Sequence, residues 1–257
     1  MNLKQITHRL YTPEANIESG QAQRLWSACE RAYTFQPIYR TSGRLMAVEM
    51  LTAITDREDI SKRVRPDHYF AAITIAQRVE VVREQLSLLE HLESLFLQFN
   101  ILASVNIDGP TLLALRQEPV MLARIARLPW IRFELVEHIR LPSNASLAGM
   151  SEFGPLWLDD FGTGMANFSS LSEVRYDYIK VARELFIMLR KTAEGRHLFT
   201  LLLQLMNRYC NGVIVEGVET AEEWRAVQAS PAMAAQGYFL SRPQSFSNLE
   251  HVLLQLV

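Results

Sequence analysis

The chain has 257 residues and a net charge of −2, from 26 Lys and Arg against 28 Asp and Glu. This length is enough for one large domain with its own core, although two small domains would also fit. The charge balance argues against a basic groove for polymeric nucleic acid, but it leaves open a small nucleotide whose phosphates are held by metal ions.

The two cysteines, Cys29 and Cys210, are too few and too isolated for a disulfide framework, which favours reduced thiols in the cytoplasm. The segment Met1–Asn16 lacks the apolar core of a signal peptide. No segment approaches the roughly 20 apolar residues of a membrane span. The sequence therefore predicts a cytoplasmic protein without a membrane partner.

The first predicted element is a helix over Glu18–Arg31, which would pack one apolar face against the rest of the chain. We expect residues 1–32 to form a helical extension and residues 33–257 to form the main domain. Two predicted strands follow, Tyr33–Tyr39 and Arg44–Leu51. The polar turn between them, at Thr41-Ser42-Gly43, predicts an antiparallel hairpin.

Beyond the hairpin, predicted strands and helices alternate. Apolar residues at helical spacing predict a long helix from Ile75 to Leu89. The further predicted strands are Ile101–Ile107, Ile131–Val136, Pro155–Leu158, Tyr178–Val181, Gly212–Val215 and Gly237–Leu240. Helical patterns separate most of them, including Gly195–Tyr209 and Ala221–Ala229.

This order predicts an α/β fold, a modified TIM-like (β/α)8 barrel in which the opening hairpin makes one strand antiparallel. An open doubly wound sheet is the alternative architecture. The chain has no Gly-x-Gly-x-x-Gly after its first strand, which weighs against that alternative.

A polar side chain recurs at or just after the apolar run of successive strands. The set is Glu49, Asn106, Glu134, Asp159, Asp160, Lys180 and Glu216. Taken singly, each is explained as a solvated or ion-paired residue, but their repetition in one order favours a functional site. The carboxyl ends of parallel barrel strands converge at one mouth, where five carboxylates would repel each other unless cations neutralised them.

Oxygen ligands of this kind suit Mg²⁺ or Mn²⁺ better than zinc. The six histidines are scattered, with no pair at the spacing of metal ligands on a helix, so none is predicted to bind metal. The run Asp159-Asp160-Phe161-Gly162 has a counterpart in protein kinases, but the chain has neither a glycine-rich loop at its N-terminus nor a His-Arg-Asp loop, which excludes a kinase.

Together these motifs resemble the EAL domains over about Tyr33 to Val257. The matching stretches are Gln36-Pro37-Ile38, Glu49-Met50-Leu51, Ser104-Val105-Asn106, Glu134-Leu135-Val136-Glu137, Leu158-Asp159-Asp160-Phe161-Gly162-Thr163-Gly164, Tyr178-Ile179-Lys180, Glu216-Gly217-Val218-Glu219-Thr220 and Gln236-Gly237-Tyr238. Several motifs in the family's order are far more specific than any one of them.

The resemblance implies an enzyme that uses two divalent cations, Mg²⁺ or Mn²⁺, to hydrolyse cyclic di-GMP to linear 5′-pGpG. One ion would be held by Glu49, Asn106, Glu134 and Asp159. The second would be shared through Asp159 and held with Asp160 and Glu216. A water between the ions would be the nucleophile. The resemblance also implies that Lys180 orients or deprotonates that water and that Gln236 positions it. Glu219 would anchor the loop after Asp160, and Gln36 and Leu51 would line the dinucleotide pocket.

Three positions depart from the family pattern. Met50 replaces the Ala of Glu-Ala-Leu, Ala182 replaces the Asp of Lys-Ile-Asp, and Ala53 replaces an Arg that contacts substrate in the family. Two other functions stay open: a degenerate EAL domain that binds cyclic di-GMP as a receptor, and a silent module that binds another protein. Dimerisation is common among EAL domains, so the resemblance also makes a homodimer an expected assembly.

Overall fold

The computed structural model describes residues 13–136, 153–163 and 175–253. The predicted motif residues Glu137 and Gly164 lie outside the described residues, as do His8 and His138. In the described part of the chain, no helix is both long and apolar enough to cross a membrane.

Eight strands close into a barrel, which confirms the predicted fold. The strands in chain order are β1 Cys29–Arg40, β2 Leu45–Asp56, β3 Arg63–Val64, β4 Leu102–Ile107, β5 Ile131–Leu135, β6 Trp157–Phe161, β7 Tyr178–Val181, β8 Gly212–Val215, β9 Ala234–Ala235 and β10 Gln244–Ser245. Strand β1 pairs antiparallel with both β2 and β9, whereas β2, β4, β5, β6, β7, β8 and β9 run parallel to one another in that order. The predicted hairpin is therefore the place where the barrel closes, and β3 and β10 extend it at the edges.

Helices connect the strands. They are α1 Pro13–Ala28, α2 Pro66–Ala72, α3 Ile75–His91, α4 Glu93–Phe99, α5 Gly109–Arg116, α6 Pro119–Ile125, α7 Arg183–Arg190, α8 Ala193–Met206, α9 Ala221–Gln228 and α10 Leu249–Leu253. Helix α3 begins with a capping box, in which Thr74 and Gln77 satisfy each other's backbone amides. Thr220 and Glu223 make the same arrangement at the start of α9.

The hairpin strands are longer than predicted. Helix α1 ends at Ala28 and β1 begins at Cys29, so the predicted helix over Glu18–Arg31 is wrong at its C-terminal end. Pairing of β1 with β2 runs from Cys29↔Asp56 to the turn, well beyond the last parallel pair of β2 with β4, Met50↔Val105. One face of this extension buries Cys29 and Ile54 against α2. This packing is a tertiary contact, so the local sequence pattern does not predict it.

The last barrel strand was predicted at Gly237–Leu240, and that prediction is wrong. The strand is Ala234–Ala235, and residues 237–240 form a turn. Gly237 lies so close to the neighbouring loop that a Cβ would come within 2.1 Å of the Val218 carbonyl oxygen. The backbone leaves the sheet here because it bonds to that loop, with the Phe239 amide donating to Val218 at 3.0 Å.

The inside of the barrel is filled below its mouth. Side chains from five different strands meet there and are fully or almost fully buried: Ile38, Met46, Ala47, Trp157, Ile214 and Ala234. A larger apolar cluster lies between the sheet and the surrounding helices. The barrel is therefore a packed core, and polar chemistry is confined to the carboxyl ends of the parallel strands.

Candidate metal centre at the barrel mouth

The predicted polar residues converge at this mouth, on side chains from most of the parallel strands. Glu49 comes from β2, Asn106 from β4, Glu134 from β5, Asp159 and Asp160 from β6, Lys180 from β7 and Glu216 from the residue after β8. Two sets of carboxylates each bring ligand atoms within 4.8 Å of one another. The first set is Glu49, Glu134 and Glu216, and the second is Asp159, Asp160 and Glu216.

Lys180 is at the centre of the cluster. Its side chain is 1% exposed, and its ammonium nitrogen lies 3.1 Å from Glu49, 3.3 Å from Asp159 and 2.8 Å from Glu216. It also donates a short hydrogen bond to Glu134. One ammonium therefore faces four carboxylates, with Asp160 as a fifth in the same cluster.

Burial and the excess of negative over positive charge shift the pKa values of these groups. Burial raises the pKa of Glu134 well above its usual value, against the opposing effect of Lys180. Burial likewise raises the pKa of Glu216 to about 8. Burial by itself would lower the pKa of Lys180, but the carboxylates of Asp159 and Glu134, followed by those of Glu216 and Glu49, raise it well above the usual value.

Glu49 connects the ligands to the amide side chains. Its Oε1 accepts a hydrogen bond from Asn106 at 2.8 Å, and its Oε2 accepts one from Gln236 at 2.8 Å. Gln236 directly follows β9, and this position places its side chain at the mouth. The structure thus brings Asn106 and Gln236 together with the predicted carboxylates.

Strand β6 has an irregularity at the mouth. Its register with β7 shifts between Leu158 and Phe161, and Asp160 has a φ of 53°. This left-handed conformation is uncommon for residues other than Gly, although Asp tolerates it better than most. The sequence predicted that Asp159 and Asp160 follow the strand, whereas both lie within it, at the shift that brings the two carboxylates to one cluster.

The residues fit divalent cations. Several buried oxygen acceptors at the mouth receive no hydrogen bond from the protein: Asn106 Oδ1, Glu134 Oε2 and Gln236 Oε1. Buried acceptors without donors are costly, and hard cations are the partners that such oxygens prefer. None of the described histidines belongs to either carboxylate set.

A cavity of about 270 Å³ opens beside the carboxylates. Gln36, Glu49, Glu216, Gly217, Glu219, Gln236, Gly237 and Tyr238 line it. Gln36 is therefore at the cavity, where its amide donates to the Ser241 carbonyl at 3.0 Å. Leu51 does not line the cavity, so its role as a pocket residue stays a prediction.

Glu219 is at the rim of the cavity, and its carboxylate lies 3.0 Å from Arg183. The loop after Thr163 lies outside the described residues, so the anchoring role predicted for Glu219 also stays a prediction. Sequence reasoning missed Arg183, and it missed Gly217 and Tyr238 as cavity residues. Gly217 has a φ of 67°, and a glycine directly after a candidate ligand was the available signal.

Comparisons with known proteins agree with this geometry. The EAL domain model matches residues 19–243. Cyclic di-GMP phosphodiesterase PdeH of Escherichia coli (strain K12) is 64% identical over 254 residues, which are 99% of this chain and 100% of that protein.

Two solved structures share the fold. The EAL-like domain protein YdiV superposes with a TM-score of 0.81 at 20% sequence identity, over 90% of this chain and 99% of that one. The EAL enzyme Bd1971, in a form bound to cAMP and cyclic-di-GMP, superposes with a TM-score of 0.72 at 18% identity, over 97% of this chain and 72% of that one.

Proposed function

The chain belongs to the EAL domain family, and from that premise we propose that it is a cyclic di-GMP-specific phosphodiesterase that releases linear 5′-pGpG. Lowering this second messenger would favour motility over the sessile state. The observation that carries the proposal is the mouth of the barrel, where Lys180 and the acidic residues of the family pattern form one cluster beside a cavity. Similarity to PdeH over nearly the whole chain supports the same activity.

We infer that two divalent cations, Mg²⁺ or Mn²⁺, are the cofactors. Glu49, Asn106, Glu134 and Asp159 would hold one, and Asp159, Asp160 and Glu216 would hold the other. The cations would supply Lewis-acid chemistry, by polarising the phosphate and lowering the pKa of water. The buried acceptors without donors on Asn106 and Glu134 support this assignment.

Different residues of the chain would then act on the water and on the substrate during hydrolysis. A water oxygen forms a bond to phosphorus, the bond from phosphorus to the 3′ oxygen breaks, and a proton passes to that leaving oxygen. Lys180, whose pKa is raised by its acidic neighbours, is a hydrogen-bond donor that would orient the attacking water. Gln236, directly after β9, would hold the same water, and Gln36 would line the pocket for the dinucleotide.

Purified protein incubated with cyclic di-GMP and Mg²⁺ or Mn²⁺ should convert it to 5′-pGpG, detected by chromatography with mass spectrometry. Ca²⁺ alone should not support turnover, because its longer and looser coordination would spread the two ions from the roughly 3.5–4 Å separation that two-metal sites use. Binding of cyclic di-GMP without turnover in any metal would favour the receptor, and the absence of both would favour the protein-binding module.

Metal binding should depend on pH. Burial raises the pKa of Glu216 to about 8 and that of Glu134 above its usual value, so cation binding is expected to displace protons from these groups. We therefore expect Mn²⁺ affinity to rise from pH 6 to about pH 8, with protons released on binding. Calorimetry in buffers of different ionisation enthalpy measures that release. Affinity that is independent of pH over this window would contradict the prediction.

Without divalent cations, the raised pKa values predict that the free energy of unfolding falls as the pH rises. A carboxyl group whose pKa is raised in the folded state stabilises the fold fully below its ordinary pKa. This stabilisation is lost as the pH rises through the raised value. For Glu216 that window runs from about 4.5 to about 8. The slope is up to about 1.4 kcal/mol per pH unit for each proton involved, and denaturant unfolding in a chelating buffer measures it.

Ala53 offers a test of substrate affinity. It is exposed on β2, opposite Ala32 of β1, and strand alternation places it on the same face as Glu49 and Leu51. The two small side chains leave space, so Ala53→Arg should lower KM up to about tenfold through a charge-assisted hydrogen bond to substrate, with kcat little changed. Steady-state kinetics measure both constants, and Ala53→Gln is the uncharged control. An unchanged or raised KM in folded Ala53→Arg would contradict the prediction.

We also propose that the protein forms a homodimer through α8 in the cytoplasm. One face of this helix and the residues after it exposes a line of large apolar side chains: Leu198, Leu201, Leu205 and Tyr209. Spacings of three and four residues put them on one apolar stripe along the helix. An exposed apolar stripe of this kind is typical of a surface that binds another protein. Leu201→Lys should shift the sedimentation coefficient from dimer to monomer, and a monomeric wild-type protein would contradict the proposal.

A further inference from the structure

Arg183 holds the loop that follows Glu216. This arginine is the first residue of α7, and its guanidinium donates a short hydrogen bond to the Gly217 carbonyl. A second nitrogen lies 3.0 Å from the Glu219 carboxylate, and the first also lies 3.3 Å from Glu223. One planar side chain therefore holds two points of the segment between β8 and α9 and one point in α9, a geometry that suits arginine and not lysine.

The aliphatic part of Arg183 fixes the same loop by contact. Gly217 has a φ of 67°, and a Cβ there would lie 2.6 Å from both Cβ and Cδ of Arg183. The loop backbone therefore packs directly on the arginine stem. Movement of Arg183 would remove its own hydrogen bonds to the loop and this packing, and would leave the loop with the backbone bonds of Val218 to Gln236 and Phe239.

Glu216 is joined to the same part of the chain. Its amide donates to the Val181 carbonyl at 3.0 Å, and its carboxylate lies 2.8 Å from Lys180. Lys180 and Val181 thus contact Glu216, and Arg183 contacts the next residue, Gly217. Among these contacts, only those of Arg183 involve the residues that follow Glu216 in the chain.

We propose that Arg183 is a positioning residue for metal binding: it fixes the Gly217–Glu219 turn so that the Glu216 carboxylate meets both sets of metal ligands. The inference rests on the proposed function, because it takes Glu216 to be a ligand of the second ion. Arg183 itself does not line the cavity and touches no reacting group.

A purely structural ion pair is the competing explanation, and Arg190 provides the matched control. It lies at the end of the same helix and pairs with α9, with nitrogen atoms 2.7 Å from Glu222 and 3.8 Å from Glu223. Its contacts resemble those of Arg183, but they involve α9 and not the Gly217–Glu219 turn. If ion pairing between α7 and α9 is all that matters, both arginines should behave alike.

The experiment is a Mn²⁺ titration followed by electron paramagnetic resonance of the free ion, which needs no substrate. Arg183→Ala should weaken Mn²⁺ binding about 10- to 100-fold, the usual effect of losing a group that orients a metal ligand. Arg183→Lys should weaken it less, and Arg190→Ala should bind as the wild type does. At saturating Mn²⁺, Arg183→Ala should recover most of its kcat.

Wild-type affinity in Arg183→Ala, or equal losses in Arg183→Ala and Arg190→Ala, would overturn the inference while leaving the proposed function intact. Absence of Mn²⁺ binding by the wild-type protein would overturn both. If Arg183→Ala does not fold, the same titration compares Arg183→Lys with Arg190→Ala, and equal Mn²⁺ affinities of these two variants would overturn the inference.

Discussion

Glu49→Ala is expected to reduce hydrolysis of cyclic di-GMP to background at every Mn²⁺ concentration, a loss of at least about a thousandfold in kcat. Glu49 belongs to the first carboxylate set and accepts hydrogen bonds from Asn106 and Gln236. Its loss removes a ligand and also frees the two amides that it orients, so both the charge and the geometry of the site change.

The fold should survive this substitution. Lys180 keeps close contacts with Glu134, Asp159 and Glu216, so removing one carboxylate leaves no unpaired cation in the barrel. Thermal unfolding followed by circular dichroism tests this point alongside the turnover assay. Glu30→Ala is the control, because Glu30 is an exposed carboxylate on the same hairpin. Turnover near the wild-type rate at saturating metal would refute the assignment of Glu49 as a ligand.

Lys180→Ala should have two separate effects. The first is on chemistry: kcat should fall with KM little changed, because a group that orients the water acts on the reaction step and not on substrate binding. The second is on stability in the presence of a chelator. Four carboxylates would lose their one ammonium partner, and breaking a buried ion pair costs about 3–5 kcal/mol.

Steady-state kinetics and urea unfolding measure the two effects independently. Mn²⁺ should restore much of the lost stability by RT ln(1 + [L]/Kd), since it neutralises the same carboxylates. Lys191→Ala, which removes an exposed lysine just after α7, should leave both quantities unchanged. A rise in KM alone would make Lys180 a substrate contact and contradict its proposed role.

The sequence was most informative where local pattern and chemistry coincide. Strands β7 and β8 were predicted at their observed bounds, because short apolar runs bounded by polar residues stand out in a chain. The acidic residues were found for the same reason: each interrupts or follows a run that should be buried. Strand β9 was missed because two alanines carry no period, and only their hydrogen bonds with β8 and β1 make them a strand.

By itself, then, the sequence determined the order of strands and helices and the polar residues placed at the strand ends, since both are encoded within a few neighbouring positions. Only the tertiary structure decided which of those residues meet. Lys180 reaches four carboxylates that lie on other strands or just after one, and Arg183 reaches Gly217, 34 residues further along the chain. Such contacts exist because the barrel closes, and closure depends on pairings between distant segments that no local pattern contains.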